Sequence, residues 1–462
     1  MGTQAAGDGA PGRQTGILTM RDIGSELRII DSALGRHLFV VDGSRIYDLP
    51  DGVDVGHEAL ALLHDELVPE GRRRIDDTPL TPPPLQSLSL NLAQACNMAC
   101  SYCYADEGKF GGRARLMPVE VARAAVDRLI AEAAQHADLV VGFMGGEPFL
   151  HRTLMRDVVP YACARARSAG RSVRFSVTTN ATLLTDDDVR FLAEHDFQVA
   201  VSIDGPKAIN DAQRPLNGGG SAYDRVVAAL EKFERVGRPR HLSARTTVAP
   251  RTGRLGPILD HLIRLGFDSV GFSPVLVSPD PRRAFTADDF ELFRDDMIVC
   301  GAKAKRAILS CERYPFSNFE TALHEIHRGS HRPYPCGAGA AYLSVDADGG
   351  LYACHRLVGD ERFAMGDVRS GSDLVRRAAH LAERHVDRQE PCRSCWARYL
   401  CGGGCYHEVD RRGRVACDYI RAWLAFCIAS YAEISAQAPR YFSAPEQYYE
   451  PTARDARLAV RP

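Results

Sequence analysis

Three cysteines lie within one short segment, at Cys96, Cys100 and Cys103, in the spacing C-x3-C-x2-C. Three thiolates cannot complete a four-ligand zinc or iron–sulfur site, so one coordination position stays open. An open iron of a [4Fe–4S] cluster can bind an external ligand. The alternative interpretation is a zinc site whose fourth ligand lies elsewhere in the chain.

A second group of seven cysteines follows in the C-terminal half. Its spacing is C-x12-G-x4-C, then C-x2-C-x5-C-x3-C, then one more cysteine after eleven residues. The members are Cys336, Cys354, Cys392, Cys395, Cys401, Cys405 and Cys417. In a cytosolic protein, a C-x2-C followed by two further ligands is a strong metal signal. A pair of structural zinc sites is the alternative to iron–sulfur clusters.

Small polar motifs follow three of the predicted strands. The run Met-Gly-Gly-Glu-Pro contains Gly145 and Gly146, which let the backbone approach a ligand closely. The neighbouring carboxylate of Glu147 can meet an ammonium group. Ser176 and Ser202 belong to the runs Ser-Val-Thr-Thr-Asn and Ser-Ile-Asp-Gly-Pro at the next two strand ends. Such residues at successive parallel strand ends suit a ribose and an amino acid.

Alternating strand and helix patterns must position these groups. The strand candidates are Ser87–Leu92, Leu139–Met144, Ser172–Thr178, Gln198–Ile203, Leu242–Val248 and Ser269–Phe272. Helical stretches between them predict a parallel sheet or barrel. Six units are fewer than the eight of a full barrel. We therefore predict an α/β fold with an open, partial (β/α)6 TIM-like barrel, whose strand C-terminal ends carry the chemistry.

The remaining segments predict a modular chain. Strand patterns at Leu27–Ile30, His37–Val41 and Arg45–Leu49, with an Asp42-Gly43 turn, precede an amphipathic helix at His57–Leu67. The predicted regions are a disordered tail (1–24), a small N-terminal β/α module (25–75), a Pro-rich linker (76–86), the barrel (87–310), a bridge with the Cys-rich iron–sulfur domain (311–435) and a C-terminal tail (436–462).

Composition narrows the class of protein. The chain has 462 residues, 57 Lys+Arg against 59 Asp+Glu, and a formal net charge of −2. That balance offers no whole-chain attraction to nucleic acid or to an anionic membrane. No apolar run approaches the ~20 residues that cross a bilayer, and the first twenty residues lack the apolar segment of a secretory signal. We expect a cytoplasmic protein, whose 14 cysteines are ligands or catalytic thiols rather than disulfides.

The triplet, the Gly-Gly-Glu-Pro run and the serine-bearing strand ends together resemble the radical S-adenosylmethionine (radical SAM) superfamily. The resemblance implies that Cys96, Cys100 and Cys103 hold a [4Fe–4S] cluster whose open iron binds the amino and carboxylate groups of SAM. One electron cleaves the sulfonium, and the resulting 5′-deoxyadenosyl radical removes a hydrogen from the substrate.

The same resemblance implies the SAM contacts. Tyr102 would lie near the adenine, and Gly145, Gly146 and Glu147 would meet the methionine amino group. Ser176 and Ser202 would contact the ribose or the carboxylate. Arg214 would neutralise the carboxylate, with an exposed solubilising arginine as the alternative.

The later cysteines resemble the SPASM extension of radical enzymes that modify peptides, which binds two auxiliary iron–sulfur clusters. The family arrangement implies one cluster closed by Cys392, Cys395, Cys401 and Cys417. An inner cluster would be held by Cys336, Cys354 and Cys405. Many relatives add an eighth cysteine soon after the first, and this chain has none there. The inner cluster is therefore expected to offer an open iron to a substrate thiolate, with Cys300 or Cys311 as alternative fourth ligands.

The resemblance implies a peptide or protein maturase with three [4Fe–4S] clusters and SAM. Anaerobic sulfatase maturases place a catalytic Asp directly after the cysteine corresponding to Cys354, whereas His355 follows here and becomes a candidate for proton transfer. The run from Cys354 to Val368 resembles thioether-forming maturases, including those of Cys-rich peptides and of quinohemoprotein amine dehydrogenase. We expect a Cys sulfur joined to a carbon, in the second kind a carbon of Asp or Glu.

Several alternatives and partners accompany this hypothesis. A maturase that forms carbon–carbon or carbon–oxygen crosslinks uses the same parts. A formylglycine-type sulfatase maturase and a non-catalytic zinc-binding module are less favoured. The expected partners are a peptide or small protein subunit and an electron donor such as ferredoxin or flavodoxin. Arg356 and Arg362 are candidate ligands of acidic substrate side chains, and the N-terminal module is a candidate for peptide binding by strand addition.

Overall fold

The computed structural model describes residues 25–53, 56–68, 75, 77–444 and 448–449. The N-terminal tail and most of the residues after 444 lie outside this part. The chain begins with a three-stranded antiparallel sheet of β1 (Leu27–Ser32), β2 (Gly35–Val40) and β3 (Arg45–Leu49), followed by helix α1 (His57–Leu67). Asp42 and Gly43 form the β2–β3 turn, where Gly43 adopts a φ of 85°.

Six parallel strands form the central sheet. In sheet order they are β4 (Ser87–Gln94), β6 (Asp138–Gly145), β7 (Ser172–Thr179), β8 (Gln198–Ser202), β9 (His241–Val248) and β10 (Ser269–Pro274), and the short β5 (Arg115–Leu116) pairs antiparallel with the end of β4. The helices between these strands are α2 (Val119–Glu132), α3 (Arg152–Ser168), α4 (Asp186–Glu194), α5 (Lys207–Gln213), α6 (Ala222–Val236) and α7 (Leu255–Arg264). The predicted partial barrel is confirmed.

The C-terminal region continues the same sheet. Strand β11 (Tyr342–Val345) pairs parallel with β4, and the antiparallel strands β12 (Gly350–Tyr352), β13 (Ala364–Asp367) and β14 (Gly371–Ser372) extend it. The helices of this part are α8 (Ala287–Leu309), α9 (Ser317–His327), α10 (Leu374–Arg384), α11 (Arg398–Cys401), α12 (Tyr406–Arg412), α13 (Cys417–Gln437) and α14 (Arg440–Ser443). The barrel and the Cys-rich region are therefore joined by a shared sheet.

Strand β4 shows how the sequence builds this junction. Its leucines Leu88, Leu90 and Leu92 alternate along one face and are at most 1% exposed, because helices cover that face. On the other face the buried amide of Asn91 donates to the Ser344 hydroxyl at 3.0 Å and to the carbonyl of Val345 at 2.7 Å. These bonds satisfy polar groups that would otherwise be costly to bury.

The N-terminal sheet is docked against the Cys-rich region. The Arg398 guanidinium pairs with the Glu26 carboxylate at 2.6 Å, and the rings of Phe39 and Trp396 meet edge to face at 6.0 Å. A buried ion pair and an aromatic contact together give this sheet a fixed place beside the predicted iron–sulfur domain. The boundaries of the six regions remain predictions.

In the residues the structure describes, no helix combines the length and the apolar character needed to cross a bilayer.

Candidate functional site

The first three cysteines line one cavity at the C-terminal ends of the barrel strands. Its volume is about 190 Å³, and its walls include Cys96, Cys100 and Cys103 together with the predicted residues Tyr102, Gly145, Gly146, Ser202 and Arg214. Strands β6 to β10 each contribute residues to the same wall. The structure thus places most of the predicted SAM contacts around the cysteine triplet.

Backbone hydrogen bonds fix the loop that carries these cysteines. The amide of Ala99 donates to the Pro215 carbonyl at 2.9 Å, and the amide of Ser101 donates to the Gln213 carbonyl at 3.1 Å. On the other side, the side-chain amide nitrogen of Asn180, Nδ2, lies 3.9 Å from the Cys96 sulfur. The loop is therefore held between the segment after α5 and the end of β7.

The protonation of these thiols depends on what binds them. Burial, together with the nearby carboxylate of Glu147, raises the pKa of Cys96 to about 12. Burial also raises the pKa of Cys100, although the Arg214 charge opposes that shift. Neutral thiols at physiological pH become ligands only where a cation stabilises the thiolates. Three thiols facing one cavity fit an iron–sulfur cluster with an open position.

Two glycines allow the backbone to pass closely beside this cavity. Gly145 has a φ of 132°, and a Cβ at this position would lie 2.4 Å from the Ala93 carbonyl oxygen. A Cβ on Gly146 would lie 2.2 Å from the Ala95 carbonyl oxygen and 2.9 Å from the Gly108 Cα. Both positions therefore require glycine, as expected of a backbone cradle for a ligand.

The predicted contact of Glu147 with the methionine amino group stays a prediction, and in the structure its carboxylate is bound by the protein itself. Its side chain is fully buried and is absent from the cavity wall. The carboxylate accepts hydrogen bonds from the Thr179 hydroxyl at 2.7 Å, the Asn180 amide at 2.7 Å and the Phe149 amide at 3.1 Å. Glu147 thus joins the glycine turn to the end of β7.

We expect Glu147→Gln to lower the free energy of unfolding by about 1–3 kcal/mol, because one of the three donors then faces an NH2 group. Urea denaturation followed by circular dichroism measures the change. The control is Glu312→Gln, an exposed side chain that should give a difference near zero. Equal stability of Glu147→Gln and the wild type would contradict this role.

Tyr102, Asp204 and Arg214 form a buried triad beside the cysteines. The Tyr102 hydroxyl donates to Asp204 Oδ2 at 2.5 Å and accepts from Arg214 Nη1 at 2.5 Å. Arg214 is 8% exposed, so the alternative of a solubilising surface arginine is wrong. Because the Asp204 carboxylate lies 3.6 Å from the guanidinium, it already balances the Arg214 charge. Asp204 was missed as a site residue, although it belongs to the quoted Ser-Ile-Asp-Gly run.

The two predicted serines occupy different depths of the barrel. Ser202 is the last residue of β8 and lines the cavity. Ser176 lies in the middle of β7, in register with Gly142, and is absent from the cavity wall. Its predicted contact with the ribose or carboxylate is therefore not supported. The assignment placed it at a strand end, whereas β7 continues to Thr179.

Four of the later cysteines share a second cavity of about 180 Å³. Its lining includes Cys392, Cys395, Cys401 and Cys417, the set expected to close one cluster, and also Cys405. Burial and the proximity of Cys401, Cys417 and Cys395 raise the pKa of Cys392 to about 12, although the Arg414 charge opposes the shift. Four thiols that influence one another's ionisation are suited to a fully ligated cluster.

The remaining three cysteines, Cys336, Cys354 and Cys405, are close enough to influence one another's ionisation. Burial, together with the neighbouring Cys405 and Cys336, raises the pKa of Cys354 to about 12. The proposed alternative ligands lie elsewhere. Cys300 is buried on α8 near Asp296, and Cys311 is exposed.

His355 connects the inner cysteines with the first cavity. Its Nδ1 lies 3.6 Å from the Cys354 sulfur and 3.3 Å from the Tyr342 hydroxyl, and the residue also lines the first cavity. Burial lowers the pKa of His355 to about 3, so the imidazole is neutral.

Across the described residues, no three His, Cys, Asp or Glu side chains lie close enough together to hold a single metal ion.

Comparison with known proteins identifies the class. Residues 90–254 match the Radical SAM superfamily. The chain contains a radical SAM domain, and the resemblance inferred from its motifs is confirmed.

Three further similarities extend over most of the chain. A serine-type anaerobic sulfatase-maturating enzyme of Klebsiella aerogenes is 25% identical over 350 residues, which are 72% of this chain and 83% of the relative. The structure of anSMEcpe with bound AdoMet matches with a TM-score of 0.68 at 21% identity, covering 79% of this chain and 99% of that one. Streptococcus suis SuiB bound to precursor peptide SuiA matches with a TM-score of 0.52 at 14% identity, covering 85% and 97%.

Proposed function

We propose that this chain is a radical SAM maturase that forms thioether crosslinks in a peptide or small protein subunit. The observation that carries the proposal is the grouping of ten cysteines into three sites. Three line the strand-end cavity, four share the second cavity, and Cys405 on the wall of that second cavity is close to the remaining two, Cys336 and Cys354. When bound, three [4Fe–4S] clusters and SAM would supply a radical that removes a substrate hydrogen, in the cytoplasm with ferredoxin or flavodoxin as electron donor.

The chain's own residues have separable roles in this proposal. Gly145 and Gly146 admit the methionine part of SAM to the backbone, and Ser202 offers a hydroxyl to its polar groups. The buried triad of Tyr102, Asp204 and Arg214 fixes the wall beside the cysteines. His355 lines the strand-end cavity next to Cys354 and is the proposed proton-transfer residue, although burial lowers its pKa and so weakens it as a base.

The inner site favours sulfur chemistry over the alternatives. Cys336, Cys354 and Cys405 lack a fourth cysteine in the described part of the chain, because Cys300 and Cys311 lie elsewhere. An open coordination position there would bind a substrate thiolate and lower its pKa. A sulfatase maturase is the second candidate, because such enzymes are similar over most of this chain. His355 at the position of their catalytic Asp makes it the weaker one.

The N-terminal sheet is the proposed peptide-recognition element. Strand β1 packs against α13, and among the described residues β3 pairs with β2 and with no other strand. A peptide that added to the free side of β3 would enter next to the Cys-rich region, to which this sheet is docked through Arg398.

Mass spectrometry tests the crosslink. A Cys-containing peptide encoded beside this gene, co-expressed with the enzyme, is expected to lose two hydrogens per crosslink and one alkylatable thiol. The expected loss reflects one hydrogen atom removed from carbon by the radical, and one proton and one electron released from the thiol side as the sulfur–carbon bond forms; the electron would pass to an auxiliary cluster. Co-expression with a Cys103→Ala variant is the control and should leave the peptide mass unchanged. A loss of two hydrogens with every thiol still alkylatable would overturn the thioether and favour a carbon–carbon or carbon–oxygen bond.

A further inference from the structure

A larger cavity adjoins the strand-end cavity inside the barrel. Its volume is about 600 Å³, and it is lined by residues of β9, β10 and α9. The residues it shares with the strand-end cavity are Arg245, Thr247, Ser273 and Arg356. These four form the common wall of the two spaces, so a chain that occupied the larger cavity would reach the cysteine triplet along this wall.

Arg245 is the distinctive residue of the common wall. It lies in β9, in register with Ser202 of β8, and its exposed side chain lines both cavities. No Asp or Glu among the described residues lies within ion-pair distance of its guanidinium. The other arginines of these walls are paired: Arg356 with Glu408 at 2.8 Å, and Arg332 with Glu325 at 3.5 Å.

A guanidinium on the common wall, without a carboxylate partner among the described residues, is suited to bind an anion. The surrounding protein and the neighbouring Arg356 lower the pKa of Arg245, because both disfavour its charge. A carboxylate would relieve that cost, and the planar guanidinium fork binds a carboxylate through two parallel hydrogen bonds. Arg362, the other arginine suggested by the sequence, is exposed and already pairs with Asp360 and Asp410.

We propose that Arg245 binds a carboxylate of the substrate peptide, an Asp or Glu side chain, and so selects the residue presented beside the cysteine triplet. The proposal rests on the proposed peptide-modifying function and adds the class of residue that is recognised. The carboxylate of SAM is the other source of the same chemistry. The position of Arg245 on the wall of the larger cavity favours the peptide, because that cavity extends away from the triplet toward α9.

Binding of two matched peptides to the reconstituted enzyme with SAM tests the proposal. The probes are a blocked hexapeptide with one Cys and one Asp and its Asn counterpart, compared by isothermal titration calorimetry. The wild type should bind the Asp peptide about tenfold more tightly than the Asn peptide, because the Asn side chain cannot form the charge-assisted pair with Arg245. Arg245→Met should remove this preference and Arg245→Lys should keep part of it. Arg362→Met is the matched control and should keep it fully.

The outcomes distinguish a failure of the Arg245 proposal from a failure of the proposed maturase function. Equal or undetectable binding of the two peptides to the wild type would overturn the role of Arg245. So would a preference that survives in Arg245→Met while SAM affinity falls, because SAM would then be the source of the carboxylate. Formation of 5′-deoxyadenosine without peptide reports separately on the radical chemistry. Its absence in the wild type would overturn the proposed function, whereas the peptide preference is measured without turnover.

Discussion

Cys100→Ala is expected to abolish the formation of 5′-deoxyadenosine from SAM and to lower the iron content from about twelve to about eight atoms per chain. Cys100 lines the strand-end cavity between Met98 and Tyr102. A cluster that already leaves one iron open cannot be retained by two thiolates. Anaerobic reconstitution, iron and sulfide analysis and chromatography of the products measure both effects.

Two controls distinguish loss of a ligand from loss of the fold. Cys311→Ser changes an exposed cysteine outside all three sites and should retain the iron and the activity. Cys392→Ala should also lose about four iron atoms, from the second cavity, yet still cleave SAM. Zinc in place of iron in the wild type, with no 5′-deoxyadenosine formed, would contradict the enzyme and favour the metal-stabilised binding module.

Much of the barrel was predictable because its signals are local. The first strand was predicted at Ser87–Leu92 and is found at Ser87–Gln94, since alternating leucines define a buried strand without reference to its neighbours. Strand β11, at Tyr342–Val345, was missed. It is only four residues long, and it forms by pairing with β4 far away in the sequence. Its polar partners, such as Asn91, carry no sequence signal of that pairing.

The residues of the site were predictable where their spacing forms a motif, but the orientations of their side chains were not. The first cysteine triplet comes together in the structure because its spacing is short, whereas Cys336, Cys354 and Cys405 are far apart in the sequence and approach one another only in the fold. Glu147 and Ser176 were assigned to the ligand, yet Glu147 turns into the donors of Thr179 and Asn180. Arg245 was not singled out, because an arginine within an alternating strand looks like a solvated charge. That no carboxylate of the described residues pairs with it becomes visible only in the folded structure.

Gly146→Ala is expected to lower the rate of SAM cleavage by about 100-fold or more, while the three thiols of the first site remain in place. The added Cβ would lie 2.2 Å from the Ala95 carbonyl oxygen, just before Cys96 in the loop. The Ala95 carbonyl oxygen belongs to the backbone and cannot swing aside like the end of a flexible side chain, so the backbone must move. A shift of about 1 Å in a reacting group costs this much rate.

The matched control is Gly218→Ala, because a Cβ there meets nothing within 4 Å and the position lies in the loop before α6. It should retain full activity. Iron content and SAM affinity then locate the damage: iron near the wild-type amount with weakened SAM binding places the clash in the cradle. Iron loss with Gly146→Ala would mean that the turn also supports the cysteine loop, through the Glu147 amide that donates to the Ala95 carbonyl at 2.9 Å. Unchanged cleavage of SAM would contradict the role of the glycine turn as a cradle, because the clash must displace the turn, and a displaced turn could not hold SAM in the same position.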